Sequence, residues 1–181
     1  MKKTILQIDN LCKNYNNIEA VKNLSLNIKE GEVFGLLGPN GSGKTTTLGI
    51  ILGIIKANKG SYSWLDNIDR KKIGSLLETP NFYPYLSLYE NLKIVATIKN
   101  APEKDIVYAL GMLNLLTRKH SKFRNLSLGM KQRLAIASSL IGNPEVLILD
   151  EPTNGLDPEG FNDVRNIIKS ESKKGKTIIL A

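Results

Sequence analysis

The chain is poor in cysteine, histidine and long hydrophobic runs. Its one cysteine, Cys12, excludes a disulfide within the chain and fits a reducing cytosol. The longest apolar run, residues 48–55, spans eight residues, whereas a membrane-spanning helix needs about 20. No apolar core follows the basic N-terminal residues, so we expect neither a secretory signal nor a membrane span.

The charge of the chain is strongly positive, with a formal net charge of +8. Such a charge suits an anionic partner, and it equally suits a solvated lysine-rich surface. The excess comes from 20 lysines against 5 arginines. Because base readout favours the bidentate arginine fork, we expect no nucleic-acid partner.

A glycine-rich segment from residue 38 to residue 45 fits the pattern G-x-x-x-x-G-K-[ST] of phosphate-cradling loops. It follows a short apolar run at 33–37, which we expect to be a buried strand, and it opens a helix expected at 44–55. Glycines let the loop curl around phosphate oxygens at positive φ, and a helix N-terminus favours anions. The residues predicted to contact the nucleotide here are Gly38, Pro39, Asn40, Gly41, Ser42, Gly43, Lys44, Thr45 and Thr46.

Within that loop, Lys44 is expected to reach the β- and γ-phosphates, and the Thr45 hydroxyl is expected to bind Mg²⁺. A second motif lies far along the chain, where an apolar strand at 146–149 ends in Asp150 and Glu151. An aspartate at this position orders the magnesium ion, and the following glutamate polarises the attacking water. We therefore predict a nucleoside triphosphatase with Lys44 and Glu151 as catalytic residues.

The order of the apolar segments predicts the fold class. Strand-like and helix-like segments alternate, which is typical of an α/β protein with a mainly parallel sheet flanked by helices. Residues 87–142 have helical spacing between the two nucleotide motifs, and we expect them to form an α-helical subdomain. The fold prediction is therefore a P-loop NTPase.

The chain resembles the ATP-binding cassette family, the ATPase subunits of ABC transporters, along essentially its whole length. Residues 125–133 are similar to the family's signature motif, and residues 150–158 are similar to its strand-end acids and dimer-contacting loop. Tyr15 matches the aromatic residue that stacks on adenine. The resemblance implies ATP as ligand and an antiparallel β part at the N-terminus.

The resemblance also implies a second ATPase subunit. In the family, two chains pair head to tail, and the signature residues of one face the γ-phosphate held by the other. Ser127 and Gly129 occupy those positions here, and the resemblance places Asp157 at the same interface between the two chains. Glu78 stands where the family usually has a glutamine that contacts magnesium, which makes it a third predicted metal residue beside Thr45 and Asp150.

The details of the motifs resemble the bacitracin and lantibiotic exporter branch of this family. Leu128 and Met130 replace the usual glycine and glutamine of the signature, and residues 80–87 are also similar to that branch. The implied partner is a transmembrane permease subunit, the implied cargo an antimicrobial peptide or other drug, and the implied location the inner face of the cell membrane. Residues 80–87 either dock that permease or pack on the chain's own helices.

Two alternatives stay open on the sequence. The first is a soluble ATPase of the same family acting in translation or DNA repair. The second is a plain P-loop kinase or GTPase, in which Ser127 only caps a helix. The family also has a histidine soon after the strand expected at 177–181, and the sequence ends at Ala181. We therefore expect residues 1–181 to be an incomplete ATP-binding domain, whose hydrolysis alone is doubtful.

Overall fold

A computed structural model describes residues 2–65, 68–78 and 81–181. These ranges contain seven strands and five α-helices of eight residues or more. The strands are β1 (Thr4–Tyr15), β2 (Ile18–Lys29), β3 (Val33–Gly35), β4 (Lys59–Trp64), β5 (Ile73–Leu76), β6 (Val146–Leu149) and β7 (Thr177–Leu180). The helices are α1 (Lys44–Ile51), α2 (Leu88–Lys99), α3 (Glu103–Met112), α4 (Leu128–Leu140) and α5 (Pro158–Lys173).

The N-terminal part is an antiparallel sheet in the order β2-β1-β4. In β1 the apolar residues Ile5, Leu6, Ile8 and Leu11 are buried, whereas several polar residues between them face solvent. This mixture is typical of a sheet with one face on the core and one face in water. The buried face packs against α1 and part of the second sheet in one apolar cluster.

The second sheet is parallel and has the strand order β3-β7-β6-β5. All four residues of β6 are buried, because the strand lies between two neighbours and is covered on both faces. The carboxyl ends of β5, β6 and β7 lie at one edge of the sheet, since Leu76 pairs with Leu149 and Leu149 with Leu180. The prediction of an α/β fold with a mainly parallel sheet is confirmed.

The helices between the two nucleotide motifs pack on one another and on this sheet. Leu92 of α2, Leu110 of α3 and Leu134 of α4 are fully buried in a cluster that also contains Leu149 of β6. A capping box at Ser87 and Glu90 starts α2. Across the described ranges, no helix combines the length and the apolar character that crossing a bilayer requires.

Two expectations about the segments around the phosphate loop are wrong. The run at 33–37 is not a buried strand, because β3 ends at Gly35 and Val33 is 45 % exposed. Among the described residues β3 pairs only with β7, so it is an edge strand. The helix expected at 44–55 ends at Ile51, because Gly53 at φ 71° turns the chain out of the helix.

Candidate active site

The glycine-rich loop connects β3 to α1 and bends through two residues in the left-handed region. Gly41 has φ 81° and Gly43 has φ 87°. A Cβ on Gly43 would lie 2.0 Å from the Ala20 carbonyl oxygen, so only glycine fits there. Gly38 is a correction to the prediction, because its φ is not in the left-handed region. It is restricted instead by Ser42, whose Oγ would lie 2.5 Å from a Cβ at that position.

The Lys44 side chain folds back over this loop. Its Nζ donates hydrogen bonds to the carbonyl oxygens of Gly38 at 2.9 Å and Pro39 at 3.0 Å. No side chain caps α1, whose N-cap residue is Gly43. The amide groups of the first helical turn are therefore left for another acceptor, and an anion suits them by charge and by direction.

The Thr45 side chain connects the loop to the end of β6. Its hydroxyl donates a hydrogen bond of 2.6 Å to Asp150 Oδ2. Asp150 is 6 % exposed, and its other oxygen, Oδ1, is buried without a hydrogen-bond partner among the described residues. A buried carboxylate oxygen without a donor is costly unless a cation or a water satisfies it.

The oxygens of Thr45 and Asp150 suit one kind of metal ion. The described part of the chain holds no cluster of three or more His, Cys, Asp or Glu residues that would form a complete metal centre. A hydroxyl beside one carboxylate fits Mg²⁺, because this ion keeps several waters and takes its other ligands from substrate phosphates. Thr45 and Asp150 therefore fit half of a magnesium site whose remainder comes with the substrate.

Glu151 follows directly and has an unusual backbone, with φ 44°. Its N–H donates to the Ala181 carbonyl oxygen over 2.9 Å, which ties it to the end of the neighbouring strand. Its exposed carboxylate accepts a hydrogen bond of 3.3 Å from Asn154 Nδ2. A non-glycine residue at positive φ costs about 1–2 kcal/mol, and such strain is common where a side chain must point into a site.

An open pocket of about 230 Å³ brings these groups together. It is lined by Tyr15, Ala20, Asn40, Gly41, Gly43, Lys44, Thr45, Thr46 and Glu151. Tyr15 is 45 % exposed at the end of β1, and the Lys13 ammonium lies 4.9 Å from its ring centroid. An aromatic ring and a carboxylate thus line the same pocket as a phosphate-type loop.

Eight residues predicted from the sequence are not among the lining of this pocket. Gly38, Pro39, Ser42 and Asp150 belong to the phosphate loop and to the end of β6, whereas the other four lie on other segments. Ser127 caps α4 by accepting a hydrogen bond of 3.3 Å from the Met130 N–H, and it is exposed. Gly129 lies in the first turn of α4. Asp157 caps α5 by accepting from the Gly160 N–H, with Arg133 Nη2 3.8 Å from its Oδ1.

Glu78, the fourth, is exposed and has φ 55° just beyond β5. The loop at 80–87 contains both a packed aromatic side chain and exposed ones. Pro80 lies outside the described residues, Phe82 packs on Phe123 at a centroid distance of 5.2 Å, and Tyr83 and Tyr85 are 60 % and 70 % exposed.

Sequence reasoning did not assign a role to two residues that shape the site. Ala20 supplies the carbonyl that excludes a side chain at position 43. No sequence signal could have indicated it, because the contact is through the backbone. Gln132 donates from its side-chain amide to the carbonyls of Glu151 and Pro152. The sequence signal for Gln132 was its position within the signature motif at residues 125–133.

The comparisons with known proteins agree on one family. The family model described as ABC transporter matches residues 21–154. The lantibiotic transport ATP-binding protein SrtF of Streptococcus pyogenes is 42% identical over 182 residues, covering 98% of this chain and 79% of SrtF. The bacitracin transport ATP-binding protein BcrA of Enterococcus faecalis is 38% identical over 186 residues, covering 98% of this chain and 60% of BcrA.

The fold agrees with solved cassettes. A dimeric structure of the ATP-binding cassette MJ0796 in a post-hydrolysis state, bound to ADP and Pi, has a TM-score of 0.89 and 32% sequence identity. That match covers 97% of this chain and 87% of the other. A second dimeric MJ0796 structure gives a TM-score of 0.88 at 30% identity.

Proposed function

The chain belongs to the ABC transporter family of ATPases, and on that premise we propose that it binds ATP with Mg²⁺ and hydrolyses it to power a membrane exporter. The observation that carries the proposal is the Thr45–Asp150 hydrogen bond with Asp150 Oδ1 buried beside it. It joins the phosphate loop to the strand-end acids at one point. The predicted subdomain boundaries at 87–142 stay a prediction.

The nucleotide is held by the loop and by Tyr15. Phosphate oxygens accept from the free amides at the start of α1, and Lys44 turns from the Gly38 and Pro39 carbonyls to the β- and γ-phosphates. The exchange is favourable, because a hydrogen bond between two charged groups is stronger than one to a neutral carbonyl. Adenine stacks on the exposed Tyr15 ring, which contributes about 1–3 kcal/mol without base selectivity.

The metal residues are Thr45, Asp150 and Glu78. Thr45 offers its hydroxyl oxygen, and Asp150 offers the oxygen that lacks a donor. Glu78 lies two residues beyond β5, the neighbour of β6 in the sheet, and so follows the same edge of the sheet as Asp150. When bound, Mg²⁺ supplies positive charge that neutralises the charge developing on the transferred phosphoryl group.

Glu151 acts as the general base. Its carboxylate is exposed at the rim of the pocket, where it accepts a proton from a water directed at the γ-phosphate. Lys44 stabilises the negative charge that spreads over the γ-phosphate oxygens as the bond to the leaving group breaks. Hydrolysis yields ADP and phosphate, and the proton taken by Glu151 leaves to solvent.

A second subunit completes each site. Ser127, Gly129 and Asp157 lie outside the pocket of their own chain, and Ser127 and Asp157 are exposed. In a head-to-tail pair, the α4 N-terminus of one chain faces the γ-phosphate held by the other, where the helix amides stabilise negative charge. The dimeric MJ0796 cassette supports this arrangement by analogy at 32% identity.

The cargo and the membrane partner follow from the relatives. SrtF and BcrA are named for lantibiotic and bacitracin transport, and we extend export of antimicrobial peptides or other drugs to this chain. The exposed Tyr83 and Tyr85 suit docking of a permease subunit at the inner face of the membrane. A soluble role in translation or DNA repair is not favoured, since these relatives are transport proteins.

The experiment separates nucleotide binding from pairing. A Cβ on Gly129 would meet nothing closer than 3.8 Å, so Gly129→Asp fits its own chain. Its carboxylate would oppose the partner's γ-phosphate. In sedimentation with Mg²⁺ and a slowly hydrolysed ATP analogue, the wild type should pair, and Gly129→Asp should stay monomeric while keeping its nucleotide affinity.

The matched control is Gly111→Asp in α3, where a Cβ would meet nothing within 4 Å. This control should pair as the wild type does. A Gly129→Asp variant that pairs normally would contradict the head-to-tail site. A wild type that binds no ATP would contradict the whole proposal.

A further inference from the structure

The side chain of Gln132 connects the signature helix to the backbone of the proposed catalytic glutamate. Its Nε2 donates to the carbonyl oxygen of Glu151 at 3.4 Å and to that of Pro152 at 3.3 Å. Gln132 lies one and a half turns after the Ser127 cap on α4. One helix therefore carries at its start the residues proposed to meet the partner's nucleotide, and farther along a hydrogen-bond donor to its own Glu151.

The next residue of α4 holds the other end of the same segment. Arg133 has Nη1 3.3 Å from Asp163 Oδ2 and Nη2 3.8 Å from Asp157 Oδ1. The Arg133 and Asp163 side chains are 16% and 21% exposed, so this pair is better protected from water than a surface pair, whereas the Asp157 side chain is 67% exposed. Gln132 and Arg133 thus fix residues 151–157 at both ends to consecutive positions of one helix.

We propose that Gln132 is a positioning residue for Glu151, and that through it hydrolysis in one subunit depends on how its α4 is seated against the nucleotide of the other. The inference rests on the proposed function. Gln132 is not among the residues that line the nucleotide pocket of its own chain. It acts only on the backbone that carries the base.

The strained backbone of Glu151 makes the position of its carboxylate depend on the Gln132 hydrogen bonds. At φ 44° it is held by its N–H bond to Ala181 on one side and by the Gln132 amide on the other. A strained residue keeps its conformation only when its surroundings over-determine it. Without the Gln132 bonds, φ relaxes and the carboxylate swings away from the water that it must orient.

The test uses matched variants at the two glutamines of the chain, Gln132 and Gln7, in the full-length protein. Gln132→Met keeps the length of the side chain and removes the donor, whereas Gln132→Lys keeps a donor. Gln7→Met is the control, because it makes the same chemical change at an exposed position of β1, where the amide donates to the Asp9 carboxylate at 3.0 Å. Thermal unfolding first verifies that all three fold.

We expect Gln132→Met to lower kcat about 10- to 100-fold, with KM for ATP changed less than about twofold. Gln132→Lys should recover a large part of kcat, and Gln7→Met should behave as the wild type. A Gln132→Met variant with wild-type kcat, or with the loss in KM alone, overturns the inference.

Hydrogen exchange gives a readout that does not depend on turnover. ATP-driven pairing should protect the amides of residues 151–157 in the wild type and in Gln7→Met, and this protection should be lost in Gln132→Met. Equal protection in all variants overturns the coupling. A wild type that neither binds ATP nor pairs would instead count against the proposed function, so the two failures are distinguishable.

Discussion

The hydroxyl of Thr45 donates to the carboxylate of Asp150 over 2.6 Å, across 105 positions of the sequence. The bond holds the first turn of α1 against the end of β6. It uses only one of the two Asp150 oxygens, and the other is buried without a donor in the described part of the chain. The Thr45–Asp150 pair therefore suits a bound cation better than it suits the stability of the free protein.

Asp150→Asn is predicted to separate stability from metal dependence. The amide removes a buried negative charge, so the free protein should unfold at the same temperature as the wild type or slightly higher. The stabilisation that Mg²⁺ adds to bound ATP should fall by about 1.5–3 kcal/mol. Calorimetric titration with ATP in Mg²⁺ and in chelator measures it. The control is Asp9→Asn on an exposed part of β1, and an equal loss in both variants would contradict the assignment.

Glu151→Gln is predicted to stop turnover while preserving ATP-dependent pairing. Glutamine keeps the shape of the side chain but cannot accept the proton of the attacking water, which should lower kcat about 10²- to 10⁴-fold. Steady-state phosphate release and size-exclusion chromatography with ATP measure the two properties. Glu159→Gln, in the first turn of α5, is the control. Turnover that survives in Glu151→Gln would assign the base elsewhere.

Lys99 predicts a pH dependence of stability. Its ammonium donates to the carbonyls of Ile141 at 3.1 Å and Ile73 at 3.4 Å, and burial lowers its pKa to about 8. The folded chain therefore releases this proton at lower pH than the unfolded chain. Because the unfolded state then binds more protons, the free energy of unfolding rises with pH above about 8.

The change that checks this is Lys99→Met. Between about pH 7.5 and about pH 9.5 the wild type should gain about 2 kcal/mol relative to the variant. Urea denaturation at several pH values measures the difference, and groups that titrate in both proteins cancel. Lys93→Met on the exposed side of α2 should run parallel to the wild type. If the free energy of unfolding of Lys99→Met changes with pH in parallel with that of the wild type, the Lys99 amine of the wild type is not desolvated.

Substitution of Glu171 is predicted to lower the free energy of unfolding strongly. It is fully buried, with Lys174 and Lys176 nitrogens each at 2.5 Å. Burial alone would raise its pKa, but the hydrogen bond from Lys174 and the ion pair with Lys176 outweigh burial and lower the pKa. Glu171→Gln should cost about 3 kcal/mol, because it leaves the nearly buried Lys176 without a counter-charge.

The ion pairs of Glu171 also make the free energy of unfolding depend on pH in acid. Because the pKa of Glu171 is lowered in the folded chain, its stabilisation is present above the ordinary carboxyl pKa and is lost as pH falls through the folded value. The stability difference between wild type and Glu171→Gln should therefore shrink in acid. Glu145→Gln, whose partner Lys72 lies 3.9 Å away at the exposed surface, should cost about 0.5 kcal/mol at any of these pH values.

The sequence predicted well those parts of the fold that local patterns control. The start of α5 is an example, because Pro158 suits the first helical position and Asp157 before it is a good N-cap. The break between α2 and α3 has a similar local cause, since Asn100 adopts φ 54° and Pro102 follows. These signals act over a few residues and need no knowledge of the tertiary fold.

The sequence could not reveal contacts between backbone groups distant along the chain. An apolar run such as 33–37 does not tell an edge strand from a central one, because both bury at least one face. The reason for glycine at 43 lies in the Ala20 carbonyl. The Gln132 bonds also end on carbonyls, which every residue has, so no residue type at 151 or 152 indicates them.

The position of β7 in the sheet affects the order of assembly during synthesis. Val33 of β3 pairs with Ile178 of β7, and β7 also separates β3 from β6. The strand that leads into the phosphate loop therefore lacks its neighbour until the ribosome has released residue 180. Until then the nascent chain exposes an unpaired parallel edge, which delays folding and invites chaperone binding.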